Sequence, residues 1–351
     1  MPIYWGDLHG HTVLSDGNYD LATGKRDRDD NTPAHHLHFA RELAGLDFAA
    51  VADHDYALTE EKWAEIVRDA NHFNAPGCFT AFAGIEWGHQ SGGGQEERIA
   101  LACGHKVAIW PGDDPPYFDW PNSTLEDFFR LVREHEGVSY MAHPCYYSLS
   151  DFERSDPQAD VGIAMAFAED ATTYGCEYSG CPGWHHDATS GYTVQEALAR
   201  GMKLAFVGES DTHHGMPGSG PLVGVHCEEL SRQAIVQALR HRQTSATTGA
   251  RIRFHEFSVN GTPLGGETRA DRDRVSVCLR IEGSAPIVGV ELLLGHPGAT
   301  TPFPVVWTER PDRKSVQLET EIRLPQTPCL LYPRVLQADR HFGWASPVWI
   351  H

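Results

Sequence analysis

The stretch DLHGHTVLSDG, residues 7–17, brings two imidazoles and a carboxylate close together in the chain. His9 and His11 are one residue apart, and Asp16 follows in a Ser-Asp-Gly turn. Imidazole and carboxylate groups are ligands for divalent transition metals. The stretch therefore indicates part of a metal site, although an aspartate in such a turn is also typical of a turn former.

More candidate ligands lie at the boundaries of segments that have the apolar composition of buried strands. They are His54 in VADHD, Glu86 at the end of FTAFAGIE, His105 before KVAIW, His143 after VSYMA, and Asp211 and His213 after KLAFVGES. In a closed parallel barrel, the carboxyl ends of the strands converge on one face, where active sites lie. We therefore expect one pocket with enough ligands for two or three ions, two of which a carboxylate could bridge.

Strand-like and helix-like segments alternate through the first 250 residues. Apolar stretches such as residues 48–52 are followed by amphipathic stretches such as residues 58–73. Thr124 and Asp127 have the spacing of a helix capping box, as do Thr193 and Glu196. The alternation predicts a parallel sheet, either open or closed into a barrel.

The pattern changes near residue 250, where we predict a domain boundary between residues 1–250 and 251–351. Alternation of apolar and polar residues from Val275 to Ile281 is typical of a strand with one buried face. Asn260-Gly261 is a tight-hairpin signal. Strands of this kind without helices predict an antiparallel sandwich.

Composition argues against several classes of partner. The formal net charge of -20 is unlike a nucleic-acid-binding surface, which is basic. No apolar run approaches the roughly 20 residues of a membrane span, and the first residues do not have the pattern of a signal peptide. The eight cysteines show no paired spacing, which favours reduced thiols and a cytoplasmic location.

The motifs DLHGHTVLSDG, ADHD, GIEW, GHKV, AHP and SDTHH follow one another in this order. In these motifs, residues 1–250 resemble the PHP (polymerase and histidinol phosphatase) superfamily of metal-dependent phosphoesterases. The resemblance implies an α/β fold, an irregular (β/α)7 barrel, with a small antiparallel β-sandwich behind it and up to three metal ions. It implies as metal ligands His9, His11, Asp16, His54, Glu86, His105, His143, Asp211 and His213.

Other polar residues near these motifs allow a functional and a structural interpretation. His214 follows a candidate ligand and is a candidate proton donor, with Glu86 and Asp211 as the other candidate catalytic residues. Candidate substrate contacts are Arg98, Lys106 and His186, for which surface solvation is the alternative.

Asp53 and Asp55 flank His54, and they either orient its ring or cap a turn. A second His-x-His, at His36 and His38, falls on a predicted helix, where residues two apart do not face each other. We therefore expect a solvated helix face there.

These observations predict a metal-dependent hydrolase, with a phosphoesterase that uses metal-activated hydroxide as the leading interpretation. The ions would be Mn, Fe or Zn, and the partner a small, anionic substrate. One alternative is hydrolysis of a C–N or C–O bond, as in amidohydrolases. Another is a catalytically silent metal-binding scaffold. The sequence leaves open a homo-oligomer.

Overall fold

The computed structural model of the protein describes residues 1–88, 104–119, 123–144, 152–169, 172–179, 191–325 and 327–351. The strands are β1 (Ile3–Asp7), β2 (Tyr19–Asp20), β3 (Lys25–Arg26), β4 (Phe48–Val51), β5 (Thr80–Trp87), β6 (Lys106–Ile109), β7 (Val138–Met141), β8 (Asp160–Glu169), β9 (Thr172–Gly175), β10 (Ala205–Glu209), β11 (Leu222–His226), β12 (Thr244–Thr247), β13 (Arg253–Val259), β14 (Thr262–Pro263), β15 (Glu267–Thr268), β16 (Arg274–Gly295), β17 (Val305–Glu309), β18 (Arg313–Arg323), β19 (Cys329–Gln337), β20 (Phe342–Ala345) and β21 (Val348–Ile350).

The α-helices are α1 (Pro33–His38), α2 (Glu60–Phe73), α3 (Leu125–Glu134), α4 (Val194–Ala199) and α5 (Arg232–Arg240). A π-helical turn follows α1 at Phe39–Leu43, and 3-10 turns occur at Asp55–Ala57 and Phe152–Arg154. The predicted capping boxes at Thr124 and Thr193 are both confirmed. Each satisfies two backbone N–H groups that would otherwise lack a partner at the helix start.

The expected α/β fold, an irregular (β/α)7 barrel followed by a separate small sandwich, is wrong. Within the described ranges, 19 strands join in one mixed sheet, and β2 and β3 form a separate hairpin. Among the described strands of the first part of the chain, only β1–β4–β5 and β7–β8–β10 pair in parallel. Strand β6 lies antiparallel to both β5 and β7, and β11 lies antiparallel to β1. The fold is therefore β-rich, with few helices between its strands.

Two strands absent from the sequence prediction, β11 and β12, account for much of this difference. They pair antiparallel with each other, although helix α5 separates them in the sequence. Strand β12 has the sequence Thr-Ser-Ala-Thr, so no apolar run marks it, yet all four residues are buried. Its other edge pairs with β20, with Ala246 opposite Trp344. The sheet consequently continues across residue 250, and the predicted domain boundary there stays a prediction.

The C-terminal strands follow the predicted alternation. The residues Val275, Val277, Leu279 and Ile281 are all buried. They lie in β16, a single strand of 22 residues that pairs first with β18 and then with β19. Asn260 and Gly261 have φ of 50° and 75° and join β13 to β14, which confirms the tight hairpin. No helix in the described ranges is long and apolar enough to cross a membrane.

One hydrophobic core cluster contains residues from both sides of position 250. It packs Phe206 and Ala246 together with Tyr332 and Trp344. Trp344 is fully buried. Part of the core of residues 1–250 is therefore completed by side chains that residues 251–351 supply.

We predict that Trp344→Ala lowers the free energy of unfolding of the whole chain by about 3 to 5 kcal/mol, the usual cost of truncating a buried aromatic side chain. Denaturant unfolding followed by circular dichroism measures the change. Val305→Ala is the control, because Val305 is 43% exposed on β17, and it should cost less than about 0.5 kcal/mol. Two separate transitions, with only one of them shifted by Trp344→Ala, would contradict this prediction and support independent domains.

Candidate metal centre

The loop after β1 carries the first site residues and is fixed by side chains from other segments. Asp53 accepts hydrogen bonds from the backbone N–H of Thr12, at 2.8 Å, and from its hydroxyl, at 2.7 Å. The N–H of His11 donates to the carbonyl of Thr212 at 2.9 Å. The loop is therefore joined both to the end of β4 and to the segment that follows β10. Asp53 thus holds this loop in place.

Glu86, near the end of β5, is the centre of the site. Its carboxylate is buried and lies within 3.3 Å of ring nitrogens from five histidines. The distances are 2.8 Å to His54 Nδ1, 2.8 Å to His105 Nδ1, 3.0 Å to His143 Nε2, 3.3 Å to His9 Nε2 and 3.3 Å to His11 Nε2. A carboxylate in this position can contact more than one metal ion.

Asp211 is the second shared carboxylate. Its Oδ1 lies 3.0 Å from His11 Nε2 and 3.3 Å from His9 Nε2. The backbone of Asp211 has a φ of 47°, and that of His143 has a φ of 28°. Positive φ is unusual outside glycine and recurs at functional sites, where the surrounding structure holds it in place.

Asp16 lies at the outer side of the site. Its Oδ2 is 3.5 Å from His54 Nε2 and 3.5 Å from His213 Nε2, and its Oδ1 is 3.7 Å from His11 Nδ1. The Asp16 side chain is 35% exposed, whereas the other eight candidate ligands are 9% exposed or less. The site therefore opens to solvent beside Asp16.

The structure brings eight of the nine candidate ligands into three overlapping groups, and the ligand atoms of each group lie within 4.8 Å of one another. The groups are His11, Asp16, His54 and His213; His9, His11, Glu86 and Asp211; and His54, Glu86 and His105. His143 is outside these groups but contacts Glu86 at 3.0 Å and Asp211 at 3.9 Å.

Several buried atoms of the site are available to contact a metal ion. Four buried atoms make no hydrogen bond of good geometry within the described residues, namely His9 Nε2, His11 Nδ1, His54 Nδ1 and Glu86 Oε2, although His54 Nδ1 and Glu86 Oε2 lie only 2.8 Å apart. Unsatisfied polar atoms are costly inside a protein. All four belong to residues of the three groups, so bound cations would satisfy them.

The carboxylates and imidazoles shift each other's pKa values. Burial and His54 act to lower the pKa of His11, but the surrounding carboxylates outweigh them and raise it to about 9. Burial acts to raise the pKa of Glu86, but His54, His9 and His105 hold it well below its usual value. Without cations, protons on the imidazoles balance the buried negative charge.

Glu209, the last residue of β10, is a site residue that the sequence analysis missed. Its Oε2 lies 3.0 Å from His9 Nδ1, and its Oε1 accepts a hydrogen bond from the backbone N–H of His143 at 2.9 Å. Contacts of this type fix the ring orientation of a metal ligand. The available signal was an acidic residue ending the apolar run KLAFVG, two positions before Asp211.

The candidate catalytic residue His214 lies beside the groups. Its Nδ1 is 3.1 Å from the hydroxyl of Thr212. Burial, His213 and Arg28 lower the pKa of His214 to about 4. The ring is therefore neutral near pH 7, which opposes the predicted role as a proton donor.

The candidate substrate contacts have little support. The ammonium of Lys106 is buried and lies 2.7 Å from Asp160 Oδ2, so its charge is already balanced and we no longer propose it as a substrate contact. Arg98 and His186 lie outside the described residues.

The predicted solvated helix face is wrong for His36, which is 1% exposed. A Cβ added at Gly10 would come within 2.4 Å of the His36 ring, so this ring packs against the chain between His9 and His11. His38 is exposed, as expected. The helix thus buries His36 behind the site and exposes His38 at its end.

The fold and the site define a β-rich protein with a buried cluster of imidazoles and carboxylates suited to metal ions. The chain belongs to the family described as "Protein of unknown function (DUF3604)", whose model matches residues 36–144 and 177–280. The matched segments include Glu86 and Asp211, whereas His9 precedes them.

The chain is also similar to an uncharacterized protein of Chlamydia trachomatis serovar D, with 24% identity over 392 residues, and to one of Chlamydia pneumoniae, with 23% identity over 384 residues. Each match covers 99% of this chain and 57% of the relative, so the chain spans little more than half the length of these proteins. The crystal structure of PsfC from Pseudomonas syringae PB-5123 is similar at 16% identity and a TM-score of 0.41, covering 70% of this chain and 91% of that one.

We predict that the purified protein contains two or three divalent ions in each chain. The reason is that the ligands form three groups, and Glu86, His11 and His54 each belong to two of them. Elemental analysis of the protein, expressed in medium supplemented with Mn, Fe and Zn, measures the number. A single ion per chain after saturation and gel filtration would contradict this prediction.

Metal binding at pH 7 should release protons. The pKa of His11 is about 9 without metal, so its ring is protonated at pH 7 and must lose the proton to become a ligand. Apparent affinity should therefore rise as the pH increases from 6 towards 9. Calorimetric titration in two buffers with different ionisation enthalpies measures the proton release, and equal heats in both would show the prediction to be wrong.

Proposed function

We propose that this protein is a metal-dependent hydrolase, with phosphate-ester hydrolysis as its favoured reaction. The observation that carries the proposal is the position of Glu86, a buried carboxylate shared by two of the three ligand groups and contacted by five imidazoles. Sites that hold two or more ions close together support displacement reactions at phosphorus.

The ligands present fit divalent transition metals. Imidazoles accompanied by carboxylates suit Mn, Fe and Zn, and no cysteine belongs to the three groups found in the described part of the chain. Ions held there would activate water as a nucleophile and stabilise negative charge in the transition state. Glu209 would keep the ring of His9 in place through its Nδ1.

The resemblance of the motifs to those of PHP phosphoesterases supports phosphate esters as the substrate class. We use this resemblance only for the chemistry of the site and not for the fold. The same ligand types also serve hydrolysis of C–N and C–O bonds. A small anionic substrate agrees with a site whose fixed cations would attract negative charge.

The cytoplasm stays our proposed location, and the cysteines support it only in part. Cys78, Cys227, Cys278 and Cys329 are free. Cys176 is disulfide-bonded, which contradicts the expectation of reduced thiols at that residue. Thiol titration of the denatured protein, prepared from cells under alkylating conditions, tests whether this bond forms in the cytoplasm.

The reaction class is tested by assaying the metal-loaded protein against a panel of phosphate monoesters, phosphate diesters, carboxylate esters and amides. Mn, Fe(II) and Zn are tried separately. Turnover of phosphate esters alone supports the proposal. Turnover of amides or carboxylate esters alone would replace it with the C–N or C–O reaction, and two or more bound ions without any turnover would favour a silent scaffold.

We predict that Glu86→Gln and Asp211→Asn each lower kcat at least about 100-fold, because a lost electrostatic contact of this type costs roughly 3 to 4 kcal/mol. Both changes remove one charge at nearly constant volume. Asparagine also tolerates the positive φ of Asp211, so the backbone should be unaffected. Steady-state rates are measured with the metal content of each variant recorded alongside.

His38→Ala is the matched control, since His38 is an exposed histidine at the end of α1. Its rate should stay within a few-fold of the unmodified protein. Near-normal turnover in both carboxylate variants would place the reaction outside this cluster. Loss of activity in the His38→Ala variant would also place the reaction outside this cluster.

A further inference from the structure

The opening of the metal centre beside Asp16 is bordered by two side chains that are not candidate ligands. One is Arg26, at the end of the β2–β3 hairpin. The other is Tyr56, whose ring stacks on that of His54 with the centroids 4.8 Å apart. Any substrate that reaches the ligand cluster by way of Asp16 passes between or beside these groups.

The hairpin is fixed to the metal centre through its backbone. The N–H of Tyr19 donates to the carbonyl of His213 at 2.9 Å. Arg26 lies opposite Tyr19 in the hairpin, with its guanidinium carbon 5.8 Å from the centre of the Tyr19 ring. The position of Arg26 is therefore coupled to that of a candidate ligand.

The guanidinium of Arg26 is close to the site and largely uncommitted. Its Nη1 donates to the carbonyl of Asp16 at 2.8 Å and lies 3.9 Å from Asp16 Oδ2. These contacts use few of its five N–H donors, and its side chain is 44% exposed. Arg28, by contrast, donates to the carbonyl of His214 and to the Asp30 carboxylate.

We propose that Arg26 binds the anionic group of the substrate at the entrance to the metal centre and orients it towards the ligand cluster. This inference rests on the proposed function, because it assigns a phosphate oxyanion as the group bound. Guanidinium matches phosphate in geometry and forms paired charge-assisted hydrogen bonds with it. The Tyr56 ring forms the neighbouring wall beside His54.

The test is calorimetric titration of inorganic phosphate into the metal-loaded protein, with metal content measured on the same samples. Arg26→Ala should weaken phosphate binding about tenfold, the effect of losing one charge-assisted contact, and should leave the number of bound ions unchanged. Arg26→Lys should recover part of the affinity, since lysine keeps the charge without the paired geometry.

Arg274→Ala is the control for loss of one positive charge. Arg274 is on β16, 60% exposed, and paired with Glu321 at 3.1 Å. The Arg274→Ala variant should bind phosphate with the same affinity as the unmodified protein. An equal loss in both arginine variants would overturn the proposal, because it would show a general effect of net charge.

Two further results separate this inference from the proposed function. If the protein hydrolyses phosphate esters but Arg26→Ala binds phosphate normally, or loses metal, the assignment of Arg26 is wrong and the hydrolase proposal stands. If phosphate binding depends on Arg26 but no phosphate ester is turned over, the anion site stands and the phosphoesterase proposal fails.

Discussion

Balance of charge around the buried Glu86 is the constraint on which the rest of the site depends. A carboxylate that is removed from water is stable only when paired or hydrogen-bonded. Here five imidazoles approach it, and these imidazoles come from four separate parts of the chain. Cations or protons must therefore occupy this centre for the fold to keep it intact.

Further acidic residues lie behind the candidate ligands and hold the backbone there by hydrogen bonds. Asp7 accepts hydrogen bonds from the backbone N–H groups of Ser210 and Gly218, at 3.1 Å and 2.9 Å. Asp53 accepts a hydrogen bond from the backbone N–H of Thr12 in the loop after β1, and Glu209 accepts one from the backbone N–H of His143. These acidic side chains fix the backbone of the segments that carry the candidate ligands. Hydrogen bonds made by residues that are not ligands therefore set the geometry of the site.

The candidate site was more predictable from the sequence than the fold. Histidine or a carboxylate at the boundary of an apolar run is a local signal, and it identified residues such as Glu86 and His54. Glu209 was missed because it ends a run that was interpreted as core, and His36 was misassigned because helix spacing alone does not show which face is buried. Pairing partners are not local, so the antiparallel position of β6 and the polar strand β12 could not be derived from periodicity.

The pairing of β12 with β20 has a consequence for the order of events during synthesis. Ser245 lies opposite Ala345, so one edge of the buried strand β12 stays open until β20, about a hundred residues later in the chain, has left the ribosome. Long-range strand pairing of this type is slow and leaves edges that can aggregate. Strand β1, which leads into the loop that carries His9, and strand β10, which ends at Glu209, belong to the same sheet. We therefore expect the ligand cluster to mature only after β20 has been synthesised, with metal acquired after that point.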